Sequence, residues 1–254
     1  MTRLLDIKNV TVRFGGVTAI DDVTFHLDEG ELLGFIGPNG AGKTTMMRAI
    51  TGVVTPQEGS IQLMGQELIG MPIHARIRKG MGLSQQLVRP LRNLSVLDNV
   101  ALAAGYRKTA NPLAALFKTD KRAERKTALK ILERVGIADA ADAEPANLSL
   151  GYLKRLEVAR ALALDPKVVL LDEPLAGLNH AEAGRLADTI KDLQGDGMTI
   201  ILIEHNLGEV MRICTRLVVQ DNGRKIGDGP PEVVMKDPVV RRAYLGGEDE
   251  NAAA

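Results

Sequence analysis

The sequence predicts an α/β fold: a mainly parallel sheet, an antiparallel β subdomain near the N-terminus and an inserted helical subdomain. Three observations carry this prediction. Short apolar runs rich in β-branched residues (Leu32–Ile36, Val168–Leu171, Thr199–Ile203) end in polar or glycine-rich residues and alternate with amphipathic stretches. That is the pattern of strands buried on both faces and joined by crossover helices. Ile7, Val10, Val12 and Phe14, and later Ile61 and Leu63, alternate instead with polar neighbours, as half-buried antiparallel strands do. Between residues 93 and 148 the strand pattern stops altogether.

Within that middle region, 121–135 has helical spacing, with Ala128, Ile131, Leu132 and Val135 on one stripe and Gly136 as the stop. Residues 104–118 hold Gly105 and Pro112 and read as a surface insertion. Near the C-terminus, Leu217 to Gln220 and Arg224 to Ile226 flank Asp221-Asn222-Gly223, a hairpin with an Asn-Gly turn. The expected organisation is one domain over 1–245, with a helical subdomain at about 93–148 and a disordered tail at 246–254.

Composition narrows the function classes. Lys plus Arg and Asp plus Glu each number 32, so the net charge is zero and nothing favours a nucleic-acid partner. The lone Cys214 forms no internal disulfide, fits a reducing compartment and reads as a buried apolar filler. Met1 to Val10 mixes Arg3, Asp6 and Lys8 with apolar residues, so no signal peptide is expected. No apolar run reaches the ~20 residues that span a bilayer, and any membrane role is expected to come through partner subunits.

Gly37-Pro38-Asn39-Gly40-Ala41-Gly42-Lys43-Thr44-Thr45 follows a predicted strand and opens a helix. In that context the G-x-x-x-x-G-K-[ST] pattern wraps backbone N–H groups around a phosphate chain, and the helix adds the positive end of its dipole. Lys43 is then expected on the β- and γ-phosphates and the Thr44 hydroxyl on Mg²⁺. At the end of the run Val168–Leu171, Asp172 is expected to hold the Mg²⁺, directly or through water. The adjacent Glu173 is expected to orient or deprotonate a water for in-line attack.

Leu148-Ser149-Leu150-Gly151-Tyr152, followed by Lys154-Arg155-Leu156-Glu157-Val158-Ala159-Arg160, adds a resemblance to these local readings. Together with the phosphate loop and the paired acids, it resembles the ATP-binding-cassette ATPases over nearly the whole chain. The resemblance implies that Ser149 and Gly151 grip the γ-phosphate of ATP bound to an opposite cassette. Taken alone, Ser149 reads as a helix N-cap. The resemblance also implies that Gln86 touches Mg²⁺ and the attacking water, that His205 contacts the γ-phosphate, and that Ala176-Gly177-Leu178-Asn179 meets its counterpart across a dimer. Phe14 matches the aromatic that stacks on adenine, with core packing as its other reading.

The insertion, the segment Glu173-Pro174-Leu175-Ala176-Gly177-Leu178-Asn179 and the ending Arg242-Ala243-Tyr244-Leu245-Gly246 are similar to the Liv-type ATPases of hydrophobic amino-acid importers. Cassettes for urea, short amides, aromatic acids or lipopolysaccharide export share much of this wording. The implied assembly has a second cassette, the same or a different chain, and two membrane permease subunits at the cytoplasmic face of a bacterial inner membrane. A periplasmic or lipid-anchored binding protein is implied indirectly. A groove for the permease is expected near 88–91 and the insertion. Tyr152 departs from the family, which carries Gln or a similar polar residue there, and it leaves a weakly hydrolysing binding subunit as the competing reading.

Overall fold

The computed structural model describes residues 2–84, 90–106 and 122–249. Two sheets organise it. Strands β1 (Arg3–Phe14), β2 (Val17–Asp28), β4 (Glu58–Leu63) and β5 (Gln66–Glu67) form the antiparallel sheet in the order β2-β1-β4-β5. A six-stranded sheet contains β3 (Leu32–Ile36), β6 (Met81–Ser84), β7 (Val168–Asp172), β8 (Thr199–Ile203), β9 (Arg216–Asp221) and β10 (Arg224–Gly229). Its order is β10-β9-β3-β8-β7-β6, parallel throughout except for the β9–β10 hairpin. The hairpin turns at Asn222 and Gly223, both with positive φ, as the Asn-Gly pair requires.

The three central strands are buried at every position, and alternate residues face different cores. Leu33, Phe35, Leu170, Ile201 and Ile203 pack with the antiparallel sheet and helix α1 (Lys43–Thr51). Leu32, Ile36, Val169, Leu171, Ile200 and Leu202 pack on the other face. There they meet helices α3 (Val96–Ala104), α4 (Arg122–Arg134), α5 (Leu150–Leu162) and α6 (His180–Gly195). Helix α2 (Ile73–Arg78) supplies Arg76, whose buried guanidinium donates to the Ala49 and Ile50 carbonyls at 2.8 and 2.7 Å and so closes the C-terminal end of α1.

The predicted stripe on α4 is buried, Gly136 ends the helix at φ 72°, and Cys214 is buried, as the sequence reading expects. Asn99, on α3, accepts from Leu91 N and donates to three carbonyls of residues 91–95, fixing the chain that enters the helical subdomain. Helix α5 packs on α3 and α4, so the helical cluster extends past residue 148.

Helix α7 (Leu207–Ile213) follows β8, α8 (Pro231–Val234) follows β10, and α9 (Pro238–Asp249) closes the described chain. Of the segment 246–254 read as a disordered tail, the structure describes Gly246 to Asp249, as the end of α9, and 250–254 lie outside the described residues. Pro238 starts α9, Val240 is fully buried and Tyr244 packs on the core, so the anchored helix continues through Gly246 to Asp249. Of the insertion at 104–118, residues 104–106 are described and the rest lies outside the described residues.

Candidate nucleotide site

The phosphate loop joins β3 to α1 and is braced from behind by the β9–β10 hairpin. Gly37 sits at φ 155°, and a Cβ there would lie 1.9 Å from the Gln220 carbonyl oxygen. Gly42, the N-cap of α1 at φ 101°, would place a Cβ 2.4 Å from the Ala19 carbonyl. Both positions therefore require glycine. Between them, the Ala41 carbonyl accepts from Gln220 Nε2 at 2.7 Å and from Gly223 N at 3.1 Å.

Lys43 is buried in this loop, and its Nζ donates to the Gly37 and Pro38 carbonyls at 2.7 and 2.8 Å. Burial pulls its ammonium below the ordinary lysine range, while Glu173 and Asp172 pull it back toward the charged form. Asn39, Gly40, Thr44 and Thr45 belong to the same loop and first helical turn.

Strands β7 and β8 are parallel neighbours, so their carboxyl ends present Asp172, Glu173 and His205 side by side. Asp172 pairs in register with Ile203, and Glu173 N donates to the Ile203 carbonyl at 2.9 Å. Asp172 is buried, and its Oδ1 has no hydrogen-bond partner among the described residues. Burial, then the neighbouring Glu173, raise its carboxyl above the usual range. Glu173 adopts φ 50°, unusual for a residue with a Cβ, and its Oε1 lies 3.7 Å from His205 Nδ1. The His205 side chain is 57% exposed and faces solvent.

Ser149 is the N-cap of α5 and accepts from Tyr152 N at 3.4 Å. The Tyr152 hydroxyl donates to Asp139 at 2.8 Å, which holds the phenol in the un-ionised form. Gly151 lies against Glu182, whose carboxylate completes a capping box with Asn179 at the start of α6. Leu148 to Tyr152, the signature segment of the resemblance, thus adjoins the segment 176–179. Among the described residues, no hydrogen bond joins Ser149 or Gly151 to the phosphate loop.

Phe14, at the end of β1, is 52% exposed, so it does not fill the core. Gln86 lies outside the described residues, as do 88 and 89 of the predicted groove; of its described residues Pro90 is half-buried and Leu91 exposed. Sequence reasoning missed Lys154, Glu204 and Gln220, which hold the site from behind. Each reads locally as an ordinary polar residue of a helix or strand, and only their burial reveals them.

A family model described as ABC transporter matches residues 20–176, and one described as branched-chain amino acid ATP-binding cassette transporter matches residues 224–250. The high-affinity branched-chain amino acid transport ATP-binding protein BraF of Pseudomonas aeruginosa is 38% identical, over 96% of this chain and 98% of that protein. The ADP conformation of MJ1267, an ATP-binding cassette of an ABC transporter, superposes with a TM-score of 0.85 at 29% identity, covering 97% of this chain and all of that one. The dimeric post-hydrolysis structure of the cassette MJ0796, bound to ADP and Pi, has a TM-score of 0.77 at 25% identity, covering 90% of this chain and 99% of that one. The chain belongs to the ATP-binding-cassette transporter family, as its ATP-binding and ATP-hydrolysing subunit with a C-terminal segment of the branched-chain amino-acid type.

Proposed function

We propose that this chain hydrolyses ATP to power an importer of branched-chain or other hydrophobic amino acids. The observation that carries the reading is the convergence of Lys43, Asp172, Glu173 and His205 at the carboxyl ends of adjacent strands, where ligands of such sheets collect. The cargo class rests on the match of residues 224–250 and on the likeness to BraF.

In this reading the loop Gly37 to Thr45 holds the triphosphate and Phe14 stacks on adenine. Lys43 exchanges its two loop carbonyls for the β- and γ-phosphates, a substitution that keeps the ammonium paired while nucleotide enters. The donors also fit Mg²⁺: Asp172 offers a buried carboxylate oxygen without a partner, and Thr44 a hydroxyl at the mouth of the loop. When bound, the cation neutralises charge on the β- and γ-phosphates. Glu173 orients the attacking water and draws off its proton, and His205 and Gln86 contact the γ-phosphate and the water.

Ser149 and Gly151 serve the nucleotide of a second cassette, whether the same or a different chain, a role that fits the lack of any hydrogen bond, among the described residues, from them to the phosphate loop. No helix of the described residues is long and apolar enough to cross a membrane. By the likeness to BraF, the partners in this reading are two permease subunits at the cytoplasmic face of the membrane, with an external binding protein acting through them. Tyr152 spends its hydroxyl on Asp139 and leaves the Ser149 cap in place, which favours an active site over a silent one.

The test is Glu173→Gln in the assembled transporter. ATP turnover is expected to fall about 10²- to 10⁴-fold with nucleotide still bound. Unchanged turnover refutes the assignment of Glu173.

A further inference from the structure

Lys154 is 5% exposed, deep beneath the strand ends, although it belongs to α5, the helix that begins at the signature segment. Its Nζ donates to the backbone carbonyl of Glu173 at 2.9 Å. Two more bonds hold the same stretch of backbone from β8 and the residue after it. Glu173 N donates to the Ile203 carbonyl at 2.9 Å, and Leu175 N donates to Oε1 of the buried Glu204 at 2.6 Å. Glu204 Oε2 in turn accepts from His205 N at 3.2 Å.

These contacts surround a conformation that does not hold itself. Glu173 sits at φ 50°, in a region that costs a residue with a Cβ about 1 kcal/mol or more and persists only where the surroundings fix it. Two of these bonds, to Ile203 and Glu204, come from the carboxyl end of the neighbouring strand β8. Lys154 supplies another from a different element, on the Glu173 carbonyl, which also accepts from Ala176 N at 3.3 Å in the turn that follows. Buried among Glu204, Glu173, Asp172 and Glu157, the ammonium is drawn down by burial and held charged by these carboxylates.

We propose that Lys154 is a positioning residue for Glu173, a tether that makes the carboxylate of one nucleotide site move with the helix whose N-cap, Ser149, serves the other. The inference rests on the reading of Glu173 as the group that orients the attacking water. It predicts a loss confined to the chemical step, because the Lys154 ammonium donates to the Glu173 carbonyl and, among the described residues, no hydrogen bond joins it to the phosphate loop.

The experiment compares Lys154→Met and Lys154→Arg with the parent in the purified transporter, carrying its partner cassette and permeases. Turnover is measured against ATP concentration, and affinity with a fluorescent ATP analogue. The Met variant is expected to lower kcat about 10- to 100-fold, the range a displaced catalytic group produces. Its KM and analogue affinity should stay within about two-fold, and Arg should recover most of the rate. A Met variant with parental kcat overturns the proposal, as does a KM that rises in step with the loss of kcat, or an Arg variant no better than Met. A counter-charge with no positioning role would lower stability alone and leave kcat intact. Should the Met variant fail to assemble, Lys154→Gln, which keeps a donor on a shorter stem, is read by the same criteria. If Glu173→Gln itself leaves turnover unchanged, the assignment of Glu173 fails first, and this outcome is distinct from a silent Lys154→Met beside a dead Glu173→Gln.

Discussion

The two phosphate-facing regions of this chain are built on opposite plans. The loop from Gly37 to Thr45 and the strand ends at Asp172 and Glu173 carry a buried ammonium, a buried carboxylate with an oxygen lacking a partner, two glycines that admit no side chain and a non-glycine residue at positive φ. The segment from Leu148 to Tyr152 carries none of these: Ser149 caps a helix in ordinary geometry and Leu150 lies exposed. The first region is preorganised within one chain and holds strain and unpaired charge for its ligand. The second is relaxed by itself and, in the proposed function, acquires a phosphate to hold only when another cassette presents one. Substitutions should therefore trade stability against function in the first region and affect function alone, or nearly so, in the second.

Gly37→Ala should show the largest effect. The new Cβ would fall 1.9 Å from the Gln220 carbonyl, a backbone atom of the bracing hairpin, so loop and hairpin must separate. An expected loss of about 3 kcal/mol or more in unfolding free energy, with nucleotide binding abolished, is checked by denaturant melts and equilibrium binding. An alanine variant of parental stability would show that the hairpin does not fix the loop.

Asp172→Asn should move stability the other way. The folded-state pKa of Asp172 lies above its unfolded value, so the group favours the fold below the unfolded pKa, and this contribution is lost as pH rises through the folded pKa. Above the folded pKa the ionised, partly unpaired carboxylate therefore weakens the ligand-free protein. Replacing it should raise stability by about 1 kcal/mol, or ~2–4 °C in melting temperature, and the gain should shrink as the pH falls into the range where Asp172 takes up a proton. The same variant should lose the Mg²⁺-dependent part of nucleotide affinity. A variant both less stable and still Mg²⁺-responsive would break the contrast.

Much of the strained region was legible because its chemistry is written in consecutive residues. Gly37 to Thr45, flanked by an apolar run and a helical period, permits few other structures, and Leu32–Ile36 and Thr199–Ile203 are strands to the residue. What holds the site was not legible. Gln220 ends an apolar run and reads as one more strand residue, yet its amide braces Ala41, 179 positions away in sequence. Lys154 reads as a solvated helix charge, and only the packing of α5 beneath β7 turns it inward. Burial of a polar residue depends on partners distant in sequence, which local spacing cannot supply. The end of α9 was not legible for a related reason: Gly246 has weak helix propensity, but Val240 and Tyr244 anchor the preceding turns and the helix continues to Asp249.

Ser149→Ala tests the relaxed region and should have the smallest structural effect. The bond it removes, Tyr152 N to the serine hydroxyl, is long at 3.4 Å, so the loss belongs near the lower end for an N-cap, about 0.5 kcal/mol. Nucleotide affinity of the separate chain should not change, because Ser149 makes no contact with its own phosphate loop. Turnover of the assembled transporter should nevertheless fall, since the proposed function sets the hydroxyl and the N-terminus of α5 against the γ-phosphate of the opposite cassette. Calorimetry, binding to the separate chain and turnover of the complex separate these quantities. A loss of affinity in the separate chain would mean that the two regions meet within one molecule, and the division between a prebuilt half and a completed half would have to be redrawn.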